Sequence, residues 1–160
     1  MGHYIANLRD IEFCLFDLLG REKVMGTSLY SDVDRDTAMG MLEEVKRLCE
    51  NDLAASFVEG DRVGATLNKE TGNVTLPASF IKSYKAYVDG EWWRVDAPVE
   101  LGGMKIPPSV RWAIAEMVLG SNPAIHIYAS GYAFAQVAHV LGTDIQKKMA
   151  KHMVDRHWGA

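Results

Sequence analysis

Apolar residues recur every three or four positions over most of the chain, and this spacing predicts a series of helices. The first helix follows Asn7, a good N-cap residue, and Gly20 lies where its C-terminal cap is expected. Four apolar residues are expected to share one face of this helix: Leu8, Ile11, Leu15 and Leu18. The longest predicted helix starts near Asp34 and ends around Gly60, because its apolar positions keep a period of about 3.6 residues throughout.

Alternation of apolar and polar residues, which is typical of strands, occurs in one place. Residues 65–68 and 73–76 both alternate, and the four residues between them are expected to form a hairpin loop. Pro77 ends the alternation and opens a third helix that runs to Val88. The sequence therefore predicts a single small β-hairpin within a helical chain.

Three more helices are predicted in the last third of the chain. The Pro107-Pro108 pair opens the first of them, in the first turn, where the N–H that proline lacks would have no partner within the helix. Asn122-Pro123 combines a cap with a first-turn proline and predicts one uninterrupted helix that ends at Gly142. Residues 143–146, Thr-Asp-Ile-Gln, form a capping box that starts the last helix, which ends near His157. The predicted fold is an all-α domain of about six helices with one small β-hairpin insertion.

Composition and charge narrow the classes of function. A chain of 160 residues is about one domain long, and its 17 Lys and Arg against 21 Asp and Glu give a net charge of −4. This charge gives no electrostatic reason to expect nucleic acid or a membrane as a partner. The N-terminal residues lack the apolar run of a signal peptide, so we expect a cytoplasmic protein. Cys14 and Cys49 lie in apolar helical stretches, where free cysteines behave as small buried side chains.

Motifs for metal, phosphate and nucleophilic chemistry are missing from the sequence. The five histidines include no pair four residues apart, and there is no Cys-x-x-Cys, so no metal site is predicted. Gly102-Gly103 lacks the spacing of a phosphate-binding loop and is expected to form a tight turn instead. No nucleophile has a base nearby in sequence. We therefore assign no catalytic, cofactor-binding or metal-ligating residue.

The predicted helix that follows Asn122 carries a stripe of small residues. His126, Ala129, Ser130 and Ala133 are spaced by three, one and three positions, which places them on one helix face. Such a face can line a channel for an extended apolar ligand, because small side chains leave room. Close packing against another helix explains the same spacing, and the residues alone leave both interpretations open. We call these four residues the small-residue stripe.

Five segments occur in an order and spacing that match one known family. Trp92-Trp93 is followed by a Pro-x-x-x-Gly-Gly turn at residues 98–103, and residues 142–148 have the sequence Gly-Thr-Asp-Ile-Gln-Lys-Lys. The chain closes on Trp158-Gly159-Ala160 and opens with an apolar helix within residues 4–19. Together these segments resemble the N-terminal helical domain of acyl-CoA dehydrogenases, in the bacterial subgroup of larger members that carry an extra N-terminal helix.

This resemblance implies how the chain is organised. Residues 1–30 would form the extension helix and its connector, and residues 31–160 would form the helical domain. Family members continue into a middle β-barrel that binds FAD and a C-terminal four-helix bundle that supplies the catalytic glutamate. The Thr-Glu-Pro and Gly-Ser-Asp motifs of the middle domain do not occur in these 160 residues. We therefore expect FAD in the full-length family enzyme, none in this chain alone, and no activity of this chain by itself.

The resemblance also implies a function, the α,β-dehydrogenation of acyl-CoA thioesters in fatty-acid β-oxidation. In the family the N-terminal helices close one side of the acyl tunnel, so the small-residue stripe is expected to line it. His126 departs from the family pattern; its imidazole would suit a polar or unusual acyl group, and it would equally suit a hydrogen bond to a partner domain. Acyl-CoA, the remaining dehydrogenase domains and further copies of the chain are the expected partners.

Two other functions stay open at this point. One is a stand-alone, non-catalytic helical interaction module derived from the same domain. The other is a small-molecule-binding helical bundle unrelated to flavin chemistry.

Overall fold

The computed structural model describes residues 2–158, so Gly159 and Ala160 of the closing segment lie outside the described residues. Its α-helices are α1 (Leu8–Glu12), α2 (Arg35–Leu48), α3 (Phe57–Val63), α4 (Ala78–Asp89), α5 (Pro108–Ser121), α6 (Pro123–Ala129), α7 (Gly131–Leu141) and α8 (Asp144–Asp155). Within the described part, the strands are β1 (Thr66–Leu67) and β2 (Val74–Thr75), which pair antiparallel. The predicted all-α class with one small hairpin is confirmed.

The predicted first helix contains a change of helix type that alters its buried face. After α1 the chain continues as a π-helix, Phe13–Leu18, whose turns hold more residues than those of an α-helix. Phe16 therefore turns towards the core, whereas Leu18 is 67% exposed, so the prediction that Leu18 shares the buried face is wrong. The same change leaves Cys14 exposed, against the expectation that it is buried.

The longest predicted helix is also present as a composite. From α2 it passes through a π-helix, Cys49–Leu53, and a 3-10 turn, Ala54–Ser56, before α3. Cys49 lies on its inner face and is fully buried, as expected.

The predicted uninterrupted helix from Pro123 to Gly142 is wrong, because the chain breaks into α6 and α7 at Ser130. The Ser130 hydroxyl donates to the Ile127 carbonyl at 2.6 Å, and the Ser130 N–H donates to the same oxygen at 3.1 Å. Both bonds tighten the turn and compete with the regular helical pattern. Gly131, a weak helix former, then begins α7.

The sequence-predicted helix starts are confirmed by their capping bonds. The side chains of Asn7, Asp34, Asn122 and Thr143 each accept a backbone N–H from the first turn that follows. Thr143 and Gln146 form the reciprocal capping box, with the Thr143 N–H donating to Gln146 Oε1 at 2.8 Å. These local bonds fix where the helices begin.

One buried cluster joins the helices. Its fully buried members come from the centre of the fold: Leu42 and Val45 of α2, Val110 and Met117 of α5, and Ile125 of α6. Ile11 and Phe16 of the N-terminal segment belong to the same cluster. A division of the chain at residue 30 stays a prediction. None of the helices within residues 2–158 combines the length and apolar character needed to cross a membrane.

Candidate functional site

The four residues of the small-residue stripe line one small cavity, although the helix that carries them is broken. His126 and Ala129 come from the end of α6, Ser130 from the turn, and Ala133 from the first turn of α7. The cavity has a volume of about 40 Å³. Its other walls come from α4, α5 and the segment between them: Tyr87, Val95, Asp96, Arg111, Ile114, Ala115 and Val118. We call this space the inner cavity.

A buried asparagine sets the position of α6. Asn122 is 2% exposed, and its side-chain nitrogen donates to the Leu53 carbonyl and to Ser56 Oγ, both at 3.0 Å. Its side-chain oxygen caps α6 by accepting the Ile125 N–H at 3.4 Å. One residue thus ties the start of α6 to the composite helix that contains Leu53, and so orients the stripe.

The stripe residues offer mostly apolar surface to the inner cavity. Ala129 is 4% exposed, and Ala133 is partly buried. The Ser130 hydroxyl is already used by its bond to the Ile127 carbonyl. His126 is partly buried, and its ring nitrogens have no hydrogen-bond partner among the described residues. His126 is therefore the residue of the small-residue stripe whose polar atoms remain available for a hydrogen bond.

An ion pair forms part of the wall of the inner cavity. The Arg111 Nε donates to Asp96 Oδ1, and the two side chains are only 29% and 17% exposed. The Arg111 guanidinium also lies 4.8 Å from the centre of the Trp112 ring, a cation–π contact. Sequence reasoning missed this pair, because the residues are 15 positions apart and belong to no local motif.

Tyr87 places a second polar group in the wall. Its side chain is 3% exposed, and its hydroxyl has no hydrogen-bond partner among residues 2–158. Burial, and then the negative charge of Asp96, raise the pKa of this hydroxyl. It therefore stays protonated and can both donate and accept a hydrogen bond. From sequence alone Tyr87 is one more apolar position of α4, so nothing singled it out.

A larger open groove adjoins the inner cavity. It has a volume of about 810 Å³ and shares Val95, Asp96, Arg111 and Ala133 with the inner cavity. Its remaining walls include apolar side chains from three segments: Leu29, Val99, Met104 and Val140. Glu100 Oε2 and His139 Nε2 approach to 3.6 Å across its rim. We call this space the outer groove, and it adjoins the inner cavity along these four shared residues.

The Gly102-Gly103 pair serves the turn that the sequence predicted. Gly102 has φ of +94°, a conformation that favours glycine. A Cβ on Gly103 would lie 1.9 Å from the Ala97 carbonyl oxygen, so only glycine fits there. The turn holds the segment that carries Asp96 against α5. Within the described residues, no group of three or more His, Cys, Asp or Glu side chains is arranged to hold a metal ion.

Comparison with known proteins identifies relatives of the chain. No family model matches the sequence. The broad-specificity linear acyl-CoA dehydrogenase FadE5 of Mycobacterium tuberculosis is 48% identical over 160 residues, which are 100% of this chain and 26% of that protein. The 3-methylmercaptopropionyl-CoA dehydrogenase of Ruegeria pomeroyi is 36% identical over 115 residues, which are 72% of this chain and 19% of that protein.

The similarity therefore extends along the whole chain in the first relative, while the chain spans only about a quarter of that relative's length. Both relatives carry names of the family that the sequence motifs resemble. The chain belongs to the acyl-CoA dehydrogenase family and corresponds to a part of its longer members.

Proposed function

We propose that this chain is the N-terminal helical part of an FAD-dependent acyl-CoA dehydrogenase, which introduces a double bond between the α and β carbons of acyl-CoA thioesters. The observation that carries this proposal is the 48% identity over the entire chain with a protein named as a linear acyl-CoA dehydrogenase. The second relative is also named for the dehydrogenation of an acyl-CoA. We place the reaction in fatty-acid β-oxidation in the cytoplasm.

The small-residue stripe is, in this proposal, one wall of the acyl site. Support comes from Ala129 and Ala133, whose short side chains border open space rather than a filled contact. The outer groove continues that space past Ala133 and is lined by several apolar side chains. Burial of each methylene of an acyl chain against such a wall would contribute about 0.8 kcal/mol. The wall would also keep water from the acyl chain.

The flavin belongs, in this proposal, to another part of the longer protein. A bound flavin accepts the hydride that leaves the substrate. Two open grooves within residues 2–158 each contain a paired cation: Lys85 Nζ donates to Asp89 at 2.7 Å, and Arg111 donates to Asp96. We assign this chain no residue that holds the flavin and no step of the hydride transfer.

The activity is tested with the natural gene product that contains this chain. Purified protein is mixed with linear acyl-CoAs of increasing length and an electron-accepting dye, and reduction of the dye is followed. We expect reduction with at least part of the series. The absence of reduction with every linear acyl-CoA would contradict the proposed activity.

The wall is tested in the same assay with Ala133→Phe. A phenyl ring at the boundary of the outer groove should shift the preferred substrate towards shorter acyl chains. Ala124→Phe is the matched control, because Ala124 is exposed on α6 and does not line the inner cavity or the outer groove. An unchanged chain-length profile for Ala133→Phe would contradict a lining role.

A further inference from the structure

The inner cavity holds buried polar groups that a purely apolar acyl wall does not need. Tyr87 is 3% exposed, lines the cavity, and has a hydroxyl with no hydrogen-bond partner among the described residues. Tyr87 lines this cavity together with both residues of the ion pair, Asp96 and Arg111. Its oxygen is not one of the fully buried, unpartnered polar atoms of the described residues, so it keeps accessible surface and can bond a partner from outside the chain.

The ion pair beside Tyr87 has unused hydrogen-bonding capacity. Arg111 donates to Asp96 through Nε, and neither its two terminal nitrogens nor Asp96 Oδ2 has a hydrogen-bond partner within residues 2–158. The pair holds both side chains in place, since each is more than two-thirds buried. The Asp96–Arg111 part of the wall therefore presents donors and acceptors, whereas Ala129 and Ala133 present methyl groups.

The size of the cavity limits what it can hold. A volume of about 40 Å³ accommodates a few non-hydrogen atoms, since about 10–15 Å³ is enough to hold one water molecule. The cavity shares Val95, Asp96, Arg111 and Ala133 with the outer groove, whose volume of about 810 Å³ is large enough for a chain of methylenes. A long ligand can therefore lie in the groove and place only its end in the cavity.

We propose that the inner cavity is a subsite for an oxygen atom, a hydroxyl or a carbonyl, carried near the far end of an acyl chain. The Tyr87 hydroxyl bonds this oxygen, and the Asp96–Arg111 pair provides the second polar contact. Tyr87 is then a specificity-determining residue, because it distinguishes an oxygenated acyl chain from a plain one. This inference rests on the proposed function, since it takes the ligand to be an acyl-CoA.

The test compares two substrates in the natural gene product and in its Tyr87→Phe variant. The substrates are the linear acyl-CoA that is oxidised best and its counterpart of equal length with a terminal hydroxyl. Tyr87→Phe should lower kcat/KM for the hydroxylated substrate about tenfold more than kcat/KM for the plain substrate, the difference expected for one lost hydrogen bond. The thermal midpoint should not fall, because the removed hydroxyl has no hydrogen-bond partner among residues 2–158.

Tyr128→Phe is the matched control, because Tyr128 lies on α6 outside the inner cavity and should change neither value. Equal losses for both substrates, or a loss that Tyr128→Phe reproduces, would overturn the subsite while leaving the proposed function intact. The absence of oxidation of every acyl-CoA by the unaltered protein would overturn the proposed function and the subsite together.

Discussion

Ala129 and Ala133 are separated by about one helical turn but have different surroundings. Ala129 is 4% exposed and borders only the inner cavity, whose volume is about 40 Å³. Ala133 is partly buried and borders the outer groove as well. The same substitution at the two sites should therefore have different consequences for stability.

Ala129→Phe should lower the free energy of unfolding by about 1–3 kcal/mol, because a phenyl ring exceeds the space beside Ala129 and forces its neighbours apart. Ala133→Phe should cost less than about 1 kcal/mol, since its ring can turn into the outer groove. Urea titration of the two variants, with Ala124→Phe as the exposed control, measures the difference. Equal losses at the two positions would show that the cavity and the groove do not differ as described.

Asn122 is a second residue whose removal should be costly. Asn122→Ala removes the cap of α6 and leaves the Leu53 carbonyl and the Ser56 hydroxyl without their buried donor. We expect a loss of about 2–3 kcal/mol in the free energy of unfolding, the sum of a typical cap and one unsatisfied buried group. Asn51→Ala, at an exposed side chain bonded to Arg47, should change stability by less than about 0.5 kcal/mol. Similar losses in the two variants would contradict the anchoring role of Asn122.

At the scale of elements, local chemistry predicted where helices begin but not how they continue. Asn7, Asn122 and Thr143 cap the helices that follow them, because capping depends on residues within one turn. The π-turns and the break at Ser130 were not predicted, since each is a small shift in hydrogen bonding within a good helical pattern. That shift was enough to move Leu18 out of the core.

The candidate site likewise has one part that the local sequence predicts and another part that depends on how the helices pack. The small-residue stripe was found from spacing on one helix, and it does line a cavity. Tyr87, Asp96 and Arg111 were not found, because their meeting depends on how α4 and α5 pack. No local sequence motif connects residues that are so far apart along the chain.

The α7–α8 hairpin exposes an apolar surface that suits a protein partner. Five of its side chains are about half to four-fifths exposed: Phe134, Val137, Leu141, Ile145 and Met149. Contiguous apolar surface of this kind is unusual in monomers and marks an interface.

The isolated 160-residue chain should therefore bind a hydrophobic dye and self-associate. The double variant Leu141→Lys, Ile145→Lys should reduce both effects, because it places two charges in the exposed surface. The double variant Leu67→Lys, Val74→Lys, which adds two charges at exposed positions of the hairpin β1–β2, should not. Dye fluorescence and sedimentation velocity provide the measurements. A monomeric chain that binds no dye would contradict an unpartnered interface and favour a stand-alone module.

At the scale of the whole molecule, the buried groups make stability depend on pH at the alkaline end. Burial raises the pKa of the Cys49 thiol from 9.0 to about 12, with a smaller contribution from the charge of Glu50. Burial likewise raises the pKa of the Tyr4 hydroxyl to about 12, assisted by the thiol of Cys49 and by Glu116. Both groups bind a proton more tightly in the folded chain than in the unfolded chain. Their contribution to stability is therefore complete below about pH 9 and is lost as the pH rises towards 12.

The urea midpoint should accordingly change little between about pH 7 and pH 8.5 and fall steadily above about pH 9, where the unfolded thiol ionises. Cys49→Ala should be less stable at neutral pH, because it leaves a small cavity, yet its midpoint should fall less steeply above pH 9 than that of the unaltered chain. Cys14→Ala is the matched control, since the Cys14 thiol is exposed and its removal should leave the slope unchanged. If the urea midpoints of the unaltered chain and of Cys49→Ala fall equally steeply with pH above about pH 9, the buried thiol does not cause this loss of stability. The buried tyrosines would then be its source.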